Sequence, residues 1–136
     1  MKSVTTYLHF NGNCREAMTF YQKSLGTDIQ IIPVMDSQGT PSTDAGARVM
    51  HSQLLRNGQT VLQASDDQSG ASPKLGDNFQ IAIECESVAE IDRLFAALNQ
   101  GGKVRLPLGD VPWGARFGML TDKFGIQWLL NCYLPK

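Results

Sequence analysis

The chain has 136 residues, with 12 Lys and Arg against 13 Asp and Glu, a formal net charge of −1 and 18% charged side chains. One domain of that length can bury roughly two thirds of the surface its unfolded chain exposes, so a core is available without disulfides or metals. The balanced charge supplies no obvious basic face for phosphate neutralisation, and no apolar run approaches the ~20 residues that cross a bilayer, so neither a nucleic acid nor a membrane is expected as a partner.

Thr5 to Phe10 is rich in β-branched and aromatic residues and stops at Asn11-Gly12-Asn13, which predicts a strand and a turn. From Cys14 to Leu25 the apolar positions Ala17, Met18, Phe20, Tyr21 and Leu25 recur at helical spacing. Asn13 is the expected N-cap, with Glu16 three residues on, and Gly26 the stop. Asp28 to Met35 reads as a strand ended near Pro33, and Asp36 to Ala47 as a polar loop, either a lid or plain surface. Arg48 to Arg56 and Gln59 to Ser65 read as two strands joined by Asn57-Gly58, the strongest hairpin signal in the chain.

Asp67 to Asp77 is a second polar loop. Asn78 to Cys85 alternates, with Phe79, Ile81, Ile83 and Cys85 on one face and Gln80, Ala82 and Glu84 on the other. Ser87 is the expected cap of a helix with Glu90 three residues later and a stripe of Val88, Ile91, Leu94, Phe95 and Leu98, ending at Gly101-Gly102. A strand from Lys103 to Pro107, a loop, and a hairpin close the chain. The hairpin pairs Ala115 to Thr121 with Ile126 to Cys132 through Asp122-Lys123-Phe124-Gly125.

The series strand, helix, strand, strand, strand therefore occurs twice, with Gly58 and Gly125 in corresponding hairpins, which reads as an internal duplication. The expected fold is α+β: two βαβββ modules, about residues 1–66 and 78–136, in one domain. A curved mixed sheet would surround a cleft, with the helices outside. Cys14, Cys85 and Cys132 are odd in number and lack a CxxC pair, so they read as separate reduced thiols. With no apolar leader in Met1 to Thr5, the expected location is the cytoplasm.

The paired modules, Phe20-Tyr21 followed by Leu25-Gly26, and Leu120-Thr121-Asp122-Lys123-Phe124-Gly125 resemble the vicinal oxygen chelate superfamily of glyoxalases, ring-cleaving dioxygenases and bleomycin-resistance proteins. More narrowly, the chain is similar to the PhnB-like branch. The residues that carry this likeness are Leu8 to Cys14 with Glu16-Ala17, Val49-Met50-His51, and Trp113 to Gly118 running into Asp122 and Trp128. Members of that branch are often labelled as resembling a demethylubiquinone methyltransferase, yet no Gly-rich strand-to-helix loop of the kind that holds S-adenosylmethionine stands in this sequence. The resemblance implies a homodimer and a cleft for a small-molecule ligand.

It also implies where an ion would sit. Metal-dependent members hold a divalent cation with side chains from the first and fourth strands of both modules, usually His or Glu, and use it as a Lewis acid on neighbouring substrate oxygens. The corresponding positions here are Thr5 or Thr6, Leu62 or Gln63, Gln80, and Leu129 or Trp128. None is His, Asp, Glu or Cys, so no metal or other cofactor is expected at the usual place.

The expected ligand-binding residues are Tyr7, His9, His51, Gln63, Gln80, Trp113 and Arg116. Leu8 and Phe10 should face the helix and turn Tyr7 and His9 the other way. His9 and His51, with Glu84 as a third partner, are the candidates for proton transfer or for an atypical divalent-metal site. Trp113 and Arg116 could hold an anionic or aromatic ligand, or instead fill volume and pair with Asp110 or Asp122. Trp128 is expected in the core and Asp122 in the turn. Binding of a small polar or anionic organic molecule without the usual metal is the first functional expectation. A metal-dependent lyase, isomerase or dioxygenase around His9, His51 and Glu84 is the second, and an interaction module the third.

Overall fold

A computed structural model describes residues 1–44 and 46–136; Ala45, in the polar loop expected over 36–47, lies outside the described residues. The chain divides into two compact units, Met1–Lys74 and Leu75–Lys136.

The first unit runs β1 (Tyr7–Phe10), α1 (Cys14–Leu25), β2 (Asp28–Pro33), β3 (Val49–Arg56) and β4 (Gln59–Asp66). Its sheet has the order β1-β4-β3-β2, with β1 parallel to β4 and the other pairs antiparallel. Asn57 and Gly58 have φ of 52° and 77°, the left-handed pair that a two-residue hairpin with matching twist requires. Helix α1 covers one face of the sheet. Its Ala17, Met18 and Tyr21 are buried, as are Leu8 and Phe10 of β1, Leu54 of β3, and Leu62 and Ala64 of β4.

Capping of α1 departs from the expectation. Asn13 is the N-cap residue, but its side chain makes no capping bond. Instead Asp66, at the end of β4, accepts from Gly12 N (2.7 Å) and Cys14 N (3.0 Å) through Oδ1 and from Val49 N (2.8 Å) through Oδ2. A buried carboxylate from a distant strand thereby satisfies donors that the helix start leaves open.

The second unit repeats the series as β5 (Ile81–Glu84), α2 (Val88–Leu98), β6 (Lys103–Val111), β7 (Ala115–Thr121) and β8 (Gln127–Tyr133), in the sheet order β5-β8-β7-β6. Here the local signal is kept: Ser87 Oγ accepts from Glu90 N (3.1 Å), and Glu90 Oε1 accepts from Glu86 N (2.9 Å). Ile91, Leu94, Phe95 and Leu98 are buried, while Val88 is exposed. Gly118 brings β7 close to α2, since an added Cβ would stand 2.9 Å from Phe95 Cε2.

Several boundaries differ from the pattern, beginning with β1, which starts at Tyr7 and leaves Thr5 and Thr6 outside it. β5 begins at Ile81 and leaves Phe79 outside it and exposed, and β6 continues past Pro107 to Val111. An edge strand tolerates a proline, and register shifts at Val104/Leu106 and Leu106/Gly109 absorb it. The strands pair as two four-stranded mixed sheets, one in each βαβββ unit, each with its own helix. No helix among the described residues is long and apolar enough to cross a membrane.

Candidate functional site

Strand alternation sorts each sheet into a face against its helix and a face turned away. On β1 the order is exposed, buried, exposed, buried, so Leu8 and Phe10 meet α1 while Tyr7 and His9 point the other way, as their spacing predicts. The parallel register pairs Tyr7 with Gln63 and His9 with Ser65, and the antiparallel register pairs Gln63 with Gln53 of β3. His51, two residues before Gln53, shares that face.

Tyr7 and His51 reach each other across β4. The Tyr7 hydroxyl lies 3.1 Å from His51 Nδ1, and the Tyr7 ring centroid lies 5.7 Å from that of His51 and 5.2 Å from that of His9. Ser65, the register partner of His9, stands on β4, the strand between β1 and β3. Either His51 tautomer completes the bond: Nδ1 accepts from the phenol, or Nδ1–H donates to the phenol oxygen. In the first case Nε2–H is left as a donor to a ligand, in the second Nε2 as an acceptor.

Neutral amides and hydroxyls border this trio. Gln53 Nε2 donates to Gln30 Oε1 (2.6 Å), Thr60 Oγ1 donates to Gln53 Oε1 (2.6 Å), and Gln63 Nε2 donates to Thr5 Oγ1 (2.5 Å). The expected site residues Tyr7, His9, His51 and Gln63 thus fall on one face of one sheet. Beside it, the exposed Asp67 carboxyl is held below its usual range by the hydroxyl and N–H of Ser69, with smaller help from the charges of Arg48 and His9.

The donor set does not suit the ion that the fold's metal-dependent members carry. Of the positions for it in this unit, Leu62 is buried on the helix side and Gln63 is engaged with Thr5. Carboxamides and hydroxyls are weak ligands for Zn, Ni or Fe. Among the described residues no group of three His, Cys, Asp or Glu is placed to hold a metal ion.

The remaining expected residues belong to the second unit. Glu84 is exposed on the face turned from α2, where its Oε1 accepts from Asn131 Nδ2 (2.9 Å). Gln80 precedes β5, its Nε2 lying 3.3 Å from Met119 Sδ. Trp113, in the β6–β7 turn, is 56% exposed and packs edge-on against Phe117. Arg116 stands on the opposite side of the sheet, against the helix: its Nε donates to Asp92 Oδ1 of α2 (2.8 Å), and its Nη1 is 4.0 Å from Asp110 Oδ1. Trp128 is 1% exposed and donates Nε1–H to Asp122 Oδ2, while Asp122 Oδ1 accepts from Phe124 N and Ile126 N and so makes the turn. Sequence reasoning passed over Ser65, Phe117 and Asn131, because only strand register reveals which faces they share.

Two βαβββ units with this strand order define a glyoxalase/bleomycin resistance/dioxygenase-type fold. The chain belongs to the PhnB-like family described as 3-demethylubiquinone-9 3-methyltransferase, whose profile matches residues 2–131. It is 36% identical to protein PA1353 from Pseudomonas aeruginosa, with 99% of this chain and 100% of that one covered and a TM-score of 0.82. With a PhnB protein from Bacillus cereus it shares 30% identity over 96% and 99% of the chains, at a TM-score of 0.74. Protein YjdN of Escherichia coli is 26% identical over 94% of this chain and 93% of its own. A glyoxalase/bleomycin resistance protein from Albidiferax ferrireducens, 15% identical, covers 97% and 98% at a TM-score of 0.65 and shares the fold.

Proposed function

We propose that this protein binds a small polar or anionic organic molecule on the face of β1, β4 and β3 turned away from α1, without an ion at the superfamily's usual position, and works as a cytoplasmic homodimer. The observation that carries the reading is the Tyr7 hydroxyl on His51 Nδ1 with the His9 ring alongside. A phenol and two imidazoles present directed donors and flat apolar faces, and Gln53 and Gln63 supply amide groups at the margin. Methyl transfer from S-adenosylmethionine finds less support, because the N–H groups of the β1–α1 turn that could meet a cofactor are given to Asp66.

A panel of small carboxylic acids and amides, titrated by thermal shift into the wild type, Y7F and H51A, tests the proposal. At least one compound should raise the melting temperature of the wild type and lose that effect in H51A. Equal responses in all three proteins would overturn it. So would a stoichiometric divalent metal, measured by elemental mass spectrometry, that disappears in H51A; that result would point to metal-assisted chemistry. The bond between Tyr7 and His51 also favours a second reading, proton transfer to or from the bound molecule, whose sign is turnover with a pH profile abolished in H51A.

A further inference from the structure

The second unit carries a different cluster on its own face turned from the helix. Glu84 and Asn131 are register partners on β5 and β8, and Asn131 Nδ2 donates to Glu84 Oε1. That bond fixes which way the amide is turned, since the opposite orientation would set its oxygen against a carboxylate oxygen. Asn131 Oδ1 is therefore the atom left over. Asn131 is 6% exposed, and its Oδ1 is buried without a hydrogen-bond partner. A buried carbonyl oxygen in that state is costly, and a ligand bringing an N–H or O–H donor would relieve it.

The surroundings say which donor. Phe117 is the cross-strand partner of Asn131, and Trp113 stands over it at 5.4 Å between ring centroids and 74° between planes. Tyr133, two residues along β8 on the same face, is 65% exposed. Arg116 is turned to the other side of the sheet, where it pairs with Asp92. An exposed carboxylate, an orphan amide oxygen and aromatic rings in one place are all attractive to positive charge.

We infer that the face formed by Glu84, Asn131, Phe117 and Trp113 is a binding site for a primary or secondary organic ammonium group carrying an apolar arm. The ammonium donates to the Glu84 carboxylate and to Asn131 Oδ1, and the arm lies against Phe117 and Trp113. The reading made for the first unit is not used, since every residue of this site belongs to the second. It separates ammonium groups that carry N–H from quaternary ones, which attract the rings and the carboxylate but cannot satisfy Asn131.

Benzylammonium, benzyltrimethylammonium and benzyl alcohol, titrated in turn into the full-length protein, test the inference. Tryptophan fluorescence and the side-chain amide resonances of Asn131 report binding. Benzylammonium should bind about tenfold or more tightly than the other two and should shift the Asn131 amide signals, and E84Q should weaken it by about tenfold or more. Absence of saturation by about 10 mM benzylammonium would overturn the proposal. Equal affinity for the quaternary or neutral analogue would also overturn it, as would unchanged affinity in E84Q. Should E84Q lose its fold, the comparison of the three compounds on the unaltered protein decides alone.

Discussion

Replacing Asp66 by Ala tests whether a strand residue, and not the local N-cap, holds the start of α1. The carboxylate accepts from three backbone N–H groups. Gly12 is exposed and can turn to water once the acceptor is gone, whereas Cys14 and Val49 are 0% exposed and cannot. At about 1–3 kcal/mol for each of the two buried donors left unsatisfied, D66A should cost about 2–6 kcal/mol. At about 4 °C per kcal/mol for a chain of this size, that is a fall in melting temperature of roughly 8–24 °C. N13A removes a side chain that makes no capping bond and should cost under about 0.5 kcal/mol. S87A, which removes a working cap from α2, should cost about 1 kcal/mol. Urea titrations followed by circular dichroism give all three values. An N13A penalty as large as that of D66A, or a D66A penalty below that of S87A, would refute the reasoning.

Other outcomes follow from single contacts. G118A should destabilise by about 1–3 kcal/mol in the same titration, because its Cβ would press on Phe95 and Leu108 at 2.9 Å, and trimming Leu108 to Ala should recover part of the loss. Burial, partly offset by the Ser52 hydroxyl, pushes the Cys14 thiol up from 9.0 to about 11. The unfolded thiol ionises first as pH rises, so stability from a neutral Cys14 is complete below pH 9 and drains away towards pH 11. The loss is about 2–3 kcal/mol, and stability measured in C14A over that range should lack it. Iodoacetamide at pH 8 should leave Cys14 unmodified in the native protein and label it after unfolding.

Local signals carried the elements well and the partners poorly. Asn57-Gly58, the Ser87 to Glu90 cap and the stripe of Ile91, Leu94, Phe95 and Leu98 each act within a few residues, and each stands where the pattern puts it. Alternation in β1 was enough to turn Tyr7 and His9 away from α1. What the sequence hides is register. Asp66 as the cap of α1, Arg116 on the helix side against Asp92, and Asn131 beside Phe117 all depend on which residue of one strand lies opposite which residue of another. The extension of β6 past Pro107 was hidden for a related reason: a proline is a breaker inside a sheet and tolerable at its edge, and only the strand order tells which applies.

The parallel pairing of β1 with β4 bears on the order in which the first unit assembles. The β3–β4 hairpin closes through two residues and can form early from local contacts. β1 should join last, because its ladder brings together positions 56 apart in the chain and the Thr5 to Gln63 bond positions 58 apart, and the chain entropy lost in closing so long a loop is recovered only when the strand docks. On that order the face that holds Tyr7 beside His51 is completed only when β1 docks. Until then β4 offers an unpaired edge to any passing strand, and a ligand that grips both residues would favour the docked state over the open one.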